Sequence, residues 1–270
     1  MTLTRLTIED KRLTRFDDYH AHTSLSYCCE DGIRPQDYVA AIRRGDAVRR
    51  VAITNHGFAI YFPNDLAWSW KFMLDPSIFD AQRAWGNDRL RNHLDEVDAL
   101  RGEGLLTGIE VEMMGDGRLT VDPALVDRLD VVVGSVHWLP VSRQTGHDPG
   151  EVLDYWLAHT QQLIRSGIDI LGHPLRWLSA QIDPVPNEII PHLVESAREA
   201  EVAVEINAHY VVRTDEDLLS EAVRTGAVVA FCTDAHRMSE IGQFGYHRRL
   251  IKQLGLTPEH IRFWAPSRRR

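Results

Sequence analysis

Short runs of apolar residues alternate along the chain with longer stretches in which apolar and polar positions follow a helical period. The apolar runs predict seven strands. These are Phe16–His20, Val51–Thr54, Leu105–Val111, Val131–Val136, Ile168–Leu171, Val202–Ile206 and Ala227–Phe231. The fourth run is rich in valine, as is typical of parallel strands that are covered on both faces.

The stretches between the strands predict helices at Pro35–Arg44, Asp88–Arg101, Glu151–Arg165, Pro186–Ala200, Asp215–Arg224 and Pro258–Trp264. Strands that alternate with helices indicate βαβ units and a parallel sheet. Seven such strands fit a closed barrel better than an open sheet. We therefore expect an α/β barrel of the TIM type, formed as a single domain by residues 1–270.

Residues 57–87 interrupt this alternation with a stretch that is rich in aromatic side chains. Its rings are Phe58, Tyr61, Phe62, Trp68, Trp70, Phe72, Phe79 and Trp85. A long aromatic loop in a compact domain usually has a function or is packed down as a cover. Both a substrate lid and a structural cap remain open.

The composition is that of an ordinary globular protein, with 44% hydrophobic and 26% charged residues and a formal net charge of -9. The acidic balance makes nucleic acid an unlikely main partner, since phosphate backbones require clustered Lys and Arg. The three cysteines, Cys28, Cys29 and Cys232, form no disulfide framework. With neither a signal peptide nor a membrane span in the sequence, we expect a cytoplasmic protein, of unknown oligomeric state.

Potential metal ligands stand at the carboxyl end of each predicted strand. Residues two apart in a strand point to the same side, so His20 and His22 can converge on one cation. Further along the chain the strand ends carry His56, Glu110, His137, His173, Glu205, Asn207, Asp234 and His236. The strand ends of a barrel meet at one face, where barrel enzymes build their active sites.

A single histidine at a strand end is more often a hydrogen-bonded core or surface residue. Seven strand ends in succession are different, because imidazoles and carboxylates crowded at one mouth carry a desolvation cost that divalent cations relieve. Imidazole and carboxylate ligands suit zinc, manganese or iron. The ligands exceed the four of one tetrahedral site, so we expect two or three ions, an arrangement that hydrolyses phosphate esters.

The ordered segments DYHAH, TNHG, GIEVE, GSVHW, LGHP, EIN and TDAH, over roughly residues 16–240, resemble the PHP (polymerase and histidinol phosphatase) family. The resemblance is to its stand-alone, histidinol-phosphatase-type members. It implies a distorted (β/α)7 barrel, up to three metals and phosphoesterase chemistry. The implied ligands are His20, His22, Glu110 and Asp234 for the first metal, Glu110 as a bridge with His137 and His173 for the second, and His56 and His236 for the third.

The chain departs from the family pattern at two positions. Cys28 stands where many members with three metals have a further histidine, so it is either a thiolate ligand or a buried cysteine. Asn55 stands where the second motif usually has an acid, which removes a proton shuttle or a partner of a ligand.

Arginines in the loops after the strands are candidates for phosphate binding. Arg176 follows LGHP, and Arg213 follows EIN by six positions, near where histidinol-phosphatase-like members have an arginine. Guanidinium grips phosphate in bidentate fashion, although two ordinary surface arginines are the alternative. His209 could contact substrate or act as the general acid beside Asp234 and His236, while Asn207 orients a ligand.

These observations favour a phosphatase acting on a small phosphate monoester, with histidinol phosphate as the favoured substrate. Three alternatives remain. One is a nucleotide phosphatase or an exonuclease-type phosphodiesterase; a nuclease would call for a basic groove, and the acidic balance counts against it. A metal-dependent amidohydrolase usually carries a lysine between its metals, and none stands at a strand end here. A non-catalytic metal-binding module would have lost more of its ligands.

Overall fold

The computed structural model of the protein describes residues 15–45 and 47–266, so the N-terminal residues on which the signal-peptide prediction depends lie outside it. The strands are β1 Phe16–Ala21, β2 Val48–Ile53, β3 Leu105–Val111, β4 Val131–Gly134, β5 Ile170–Leu171, β6 Ala203–Asn207, β7 Val228–Cys232 and β8 Arg262–Phe263. They form one sheet in chain order, and every neighbouring pair is parallel.

The helices are α1 Pro35–Arg44, α2 Gly57–Tyr61, α3 Asn64–Trp68, α4 Lys71–Leu74, α5 Ser77–Asp98, α6 Pro123–Val126, α7 Pro149–Ile164, α8 Arg176–Gln181, α9 Ile189–Glu199, α10 Asp215–Thr225 and α11 Gly245–Gln253. Their alternation with parallel strands confirms the predicted TIM-like α/β barrel. Among the described residues, no helix has the length and apolar character that crossing a bilayer requires.

Backbone hydrogen bonds join the first strand to the segment that follows the seventh. The Asp234 amide donates to the His20 carbonyl at 2.8 Å, and the His22 amide donates to the Ala235 carbonyl at 3.1 Å. The carboxyl ends of β1 and β7 therefore meet. This contact brings the first and last of the predicted ligand motifs to the same point of the barrel mouth.

The predicted last helix, Pro258–Trp264, is wrong, and the barrel sheet has eight strands where the sequence indicated seven. A short 3-10 turn at Pro258–His260 is followed by β8. The open edge of β7 has backbone groups that need partners, and β8 supplies them: the Trp264 amide donates to the Val229 carbonyl at 2.9 Å. The ring of Trp264 then packs edge-on against Tyr19, with centroids 4.6 Å apart.

Residues 57–87, predicted as a loop, are instead mostly helical. They form α2, α3, α4 and the first half of α5, which begins at Ser77 and not at Asp88. Helices of four or five residues are too short to show a helical period, and every residue of α2 is buried. The segment is packed down: the rings of Phe62 and Phe72 stack with centroids 4.3 Å apart.

Gly86 allows α5 to approach α2, and we predict that Gly86→Ala destabilises the fold. An added Cβ would lie 2.1 Å from the Tyr61 ring. That ring is held by hydrogen bonds from its hydroxyl to Asn87 and from the Asp122 amide. We expect a loss of about 1–3 kcal/mol in the free energy of unfolding, measured in urea, despite the better helix propensity of alanine.

The matched control is Gly102→Ala, because a Cβ at Gly102 meets nothing within 4 Å. An equal effect of the two substitutions on the free energy of unfolding would contradict the packing argument.

Candidate metal centre

The carboxylate of Glu110, near the end of β3, is fully buried among five histidines. Its oxygens lie 3.3 Å from His20 Nε2, 3.5 Å from His22 Nε2, 2.5 Å from His56 Nδ1, 3.4 Å from His137 Nε2 and 3.1 Å from His173 Nε2. The histidines come from the ends of four strands, with His20 and His22 both at the end of β1. The barrel thus gathers them around one shared oxygen donor.

Asp234 is a second shared carboxylate in the same cluster. Its Oδ1 lies 3.0 Å from His22 Nε2, 3.5 Å from His20 Nε2 and 3.5 Å from His236 Nδ1. With it, all eight predicted metal ligands lie together at the barrel mouth.

Several potential metal-ligating atoms in this cluster are buried without a hydrogen-bond partner. They include His20 Nε2, His22 Nε2, His56 Nδ1, Glu110 Oε2 and Asp234 Oδ1. A buried polar atom without a partner is destabilising, and natural structures rarely leave several together. Cations that accept lone pairs from imidazole nitrogens and carboxylate oxygens would satisfy them, so the residues fit a metal centre.

The donor atoms fall into more than one group. Within 4.8 Å of one another lie the donors of His20, His22 and Glu110, those of His56, Glu110 and His137, and those of His22, His56 and His236. The groups overlap, since His22, His56 and Glu110 each belong to two of them.

The electrostatics of the cluster favour the metal-binding forms of Glu110, Asp234 and His22. Burial opposes ionisation of Glu110 and Asp234, yet the surrounding histidines hold the pKa of both carboxyls well below the usual range. Burial, reinforced by His236 and His56, holds the pKa of His22 well below its usual value. Although burial opposes it, three carboxylates raise the pKa of His20, so the cluster attracts positive charge at this point.

Hydrogen bonds fix which ring nitrogen of the first two histidines faces the cluster. His20 Nδ1 donates to Glu205 at 2.8 Å, which directs Nε2 toward Glu110 and Asp234. Ser26 gives its hydroxyl proton to Asn55 Oδ1 at 2.9 Å, so His22 Nδ1 must donate to Ser26 Oγ at 3.1 Å. Both rings therefore direct Nε2 into the cluster, and a metal would bind them through that nitrogen in its unprotonated form.

Asn55 does not leave a gap where the family usually has an acid. Its Oδ1 also accepts from the Thr23 amide at 2.8 Å, and its Nδ2 lies 3.2 Å from His93 Nε2 in α5. Neutral Asn55 therefore orders the loop that carries Ser26. Ser26 itself was not predicted, because it belongs to no strand-end pattern.

Two acidic residues behind the ligands were not assigned a role from the sequence. Glu205 accepts from the His173 amide and from Asn207 Nδ2, which in turn donates to Asp234 Oδ2 at 3.2 Å. Glu112 lies 2.8 Å from His137 Nδ1. Their spacing in the sequence could have identified them. Glu112 follows Glu110 by two positions and Glu205 precedes Asn207 by two, and residues two apart in a strand point to the same side.

Backbone strain is concentrated at this site. Of the four described non-glycine residues with positive φ, three are His173 at 24°, Asp234 at 51° and Trp70 at 54°. Such conformations cost on the order of 1–3 kcal/mol each and persist where the surroundings hold them. For Asp234 the bond from its amide to the His20 carbonyl provides that support.

A pocket of about 160 Å³ opens beside the cluster. It is lined by Cys28, His56, Phe58, Trp68, Trp70, His137, Arg176, Tyr210, Asp234 and His236. Cys28 thus faces the pocket, and burial raises the pKa of its thiol. Tyr210 was not singled out from the sequence, since a tyrosine in a loop carries no pattern.

The two predicted phosphate-binding arginines are not brought together. The guanidinium of Arg176 stacks over the Tyr210 ring, 3.3 Å from its centroid, and lines the pocket. The Arg213 side chain is 90% exposed and lies 3.9 Å from Asp183 Oδ2, away from the pocket lining. Arg213 therefore lies in solvent and does not contribute to the pocket.

His209 lies at the edge of the cluster, with its ring 4.8 Å from that of His236. Its Nδ1 is 3.0 Å from Glu240 Oε1, and the donor atoms of these three residues form a further close group. Glu240 was missed because it stands in a 3-10 turn outside every motif.

We predict that Glu110→Gln removes most metal binding, because one carboxylate serves five histidines. Purified wild-type protein dialysed against manganese or zinc should retain two or three ions per chain, and the variant should retain fewer than half of these. At a metal concentration 100 times the dissociation constant, wild-type stability should rise by about 2.7 kcal/mol, and this gain should vanish in the variant.

Glu103→Gln is the control, since that carboxylate pairs with Arg43 on the surface. If elemental analysis finds as much metal in Glu110→Gln as in the wild type, the assignment of Glu110 as a shared metal ligand is refuted.

No family model matches the chain, but curated relatives do. DNA polymerase/3'-5' exonuclease PolX of Bacillus subtilis is 29% identical over 163 residues, 56% of this chain and 26% of that protein. Probable phosphatases of Citrobacter koseri, 24% identical, and of Shigella dysenteriae (YcdX), 26% identical, match 93% of this chain and 91% of their own length. Among solved structures, a chain of archaeal ribonuclease P with mature tRNA matches at 12% identity and a TM-score of 0.45, covering 90% of this chain and 84% of its own; we draw nothing from it.

Three independent features agree on the family. The ligand motifs follow one another in the order that the resemblance requires. The barrel gathers them at one mouth. Proteins of similar length named as probable phosphatases, together with PolX, are similar in sequence. Together these features support membership of the PHP family.

Proposed function

We propose that the protein is a metal-dependent phosphoesterase that hydrolyses a small-molecule phosphate monoester. The observation that carries the proposal is the buried Glu110 carboxylate among five histidines, beside a pocket lined by Arg176. The relatives named as probable phosphatases, matched over most of their length, support the same class of reaction.

In this proposal, zinc, manganese or iron ions occupy two or three positions. His20, His22, Glu110 and Asp234 hold the first, Glu110, His137 and His173 the second, and His56 and His236 the third. Divalent cations so held supply an activated water and neutralise charge on the phosphoryl oxygens.

The side chains around the cluster bind and orient the substrate. Arg176 is close enough to His137 to contribute to lowering the pKa of that histidine, after burial and His56 and His173, so its positive charge lies next to the metal ligands. It binds the phosphoryl oxygens, and stacking on Tyr210 fixes its plane. Phe58 and Trp70 restrict the access of water to the ligands.

His209 provides the proton for the leaving alcohol. Its Nδ1 is engaged by Glu240, which leaves Nε2 as the nitrogen that can hold a proton toward the substrate. Asp234 and His236 stand next to it in the cluster and complete the catalytic group. Histidinol phosphate is the favoured substrate, because the ordered motifs resemble those of the histidinol-phosphatase-type members of the family.

A second candidate is a phosphodiesterase that acts on the ends of nucleic acids. The similarity to PolX supports it. The formal charge of -9 weighs against it, because such substrates require a basic groove.

The test is phosphate release by manganese- or zinc-loaded protein from monoesters that include histidinol phosphate and nucleoside monophosphates, with an oligonucleotide in parallel. At least one monoester should be hydrolysed. Asp234→Asn should lower kcat/KM by at least about 100-fold, because removing a metal ligand costs more activity than removing a residue that only hydrogen-bonds to a ligand, which costs about 10- to 100-fold. Asp217→Asn, on the exposed side of α10, should have no effect. Metal-loaded protein that releases phosphate from no monoester would refute the proposal, and cleavage of the oligonucleotide alone would establish the second candidate.

Arg176 and Arg213 make opposite predictions. Arg176→Leu should lower kcat/KM for the best monoester by about 10- to 100-fold, because a charged hydrogen bond to phosphate contributes about 1.5–3 kcal/mol. Arg213→Leu should change it by less than about twofold, as expected for a side chain that is 90% exposed. Equal losses in the two variants, measured by steady-state kinetics, would show that the loop of Arg213 reaches the substrate.

A further inference from the structure

We infer that the alcohol part of the substrate carries a flat unsaturated ring, and that this ring stacks on Trp68 at the mouth of the pocket. The inference rests on the proposed function, which places the phosphate at the metal cluster. It goes beyond that function by naming the chemical class of the leaving group and the residue that selects it.

An aromatic wall, formed by Phe58, Trp68 and Trp70, runs outward from the metal ligands. Phe58 stacks on the His56 ring, with centroids 4.5 Å apart and planes at 19°. Trp70 lies nearly parallel to His137, with centroids 6.3 Å apart and planes at 20°. The wall therefore starts at the rings that hold the predicted metals.

Trp68 is the outer end of this wall. Its ring lies 5.3 Å from Phe58 and 6.2 Å from Trp70, and it lines the pocket. Phe58 is 1% exposed, whereas Trp68 is 46% exposed. A substrate bound through its phosphate at the inner end would reach Trp68 with its organic part.

Trp70 holds the wall in place through an unusual backbone conformation. Its φ of 54° lies in the left-handed region, which a bulky side chain rarely adopts. The indole is parallel to Trp138 within 3°, with centroids 6.5 Å apart. Strain of this kind persists when the surroundings fix it, and here it places an indole between Trp68 and His137.

The pocket lining contains a second planar surface. Arg176 stacks on Tyr210, and both line the same pocket as the aromatic wall. The pocket thus has two flat surfaces in its lining and a volume of about 160 Å³, too small to enclose a large ligand. Offset stacking on such surfaces favours an unsaturated ring over a saturated ring of the same size.

The experiment compares 2-phenylethyl phosphate with 2-cyclohexylethyl phosphate. Both are esters of primary alcohols of similar acidity, so the bond that breaks has the same intrinsic reactivity. One stacking contact should favour the phenyl ester by about 3- to 10-fold in kcat/KM. In Trp68→Leu the preference should fall to about one.

Trp85→Leu is the matched control. Trp85 belongs to the same aromatic segment, is 40% exposed and contacts Arg89 instead of the pocket. This variant should keep the wild-type preference. A preference that is absent in the wild type, or unchanged in Trp68→Leu, would overturn the inference while leaving the phosphatase activity established.

Binding measurements separate this inference from the proposed function. The probes are 3-phenylpropylphosphonate and 3-cyclohexylpropylphosphonate, which replace the scissile oxygen by carbon and cannot be hydrolysed. If no monoester, these two included, is hydrolysed but the phenyl phosphonate binds the metal-loaded protein more tightly, in a manner that depends on Trp68, the inference stands and the phosphatase proposal fails. Equal affinity of the two phosphonates, measured by calorimetry, would overturn the inference in either case.

Discussion

One buried carboxylate organises the barrel mouth. Glu110 has no access to solvent and lies within 3.5 Å of five imidazole rings from four strand ends. A charge in that position is tolerable only with positive charge or cations around it. Glu205, Glu112 and Ser26 hydrogen-bond to His20, His137 and His22. These bonds orient the three rings and so determine which nitrogen each histidine directs to this centre.

Much of this arrangement could be predicted from the sequence, because strand ends in a parallel barrel must meet at one face. His20, Glu110 and Asp234 stand at such ends and converge as expected. Arg213 shows the limit of the same reasoning: it follows a strand end as well, yet loop geometry turns it toward solvent. The eighth strand was also beyond prediction, since two residues carry no detectable period.

The aromatic segment illustrates a different limit. Its aromatic composition left a substrate lid and a structural cap open. Helices of four or five residues show no periodic pattern, and a run of rings that is buried on all sides cannot be distinguished from a loop by its sequence. Only the fold distinguishes Trp68 and Trp70, which line the pocket, from Trp85, which does not. Glu240 likewise gains its contact with His209 through a turn that no motif marks.

The hydrogen bonds that close the barrel have a consequence for how the protein acquires its centre. Thr233 donates to Asp18, a partner 215 positions earlier in the chain, directly beside the Asp234–His20 contact. Contacts of such separation form late, because the entropy of closing a long loop opposes them until the intervening structure is in place. A chain emerging from the ribosome would thus complete β1 to β6 before its first histidines meet their last carboxylate. The first of the proposed cations, whose ligands include Asp234, would then be captured only after synthesis has passed residue 234.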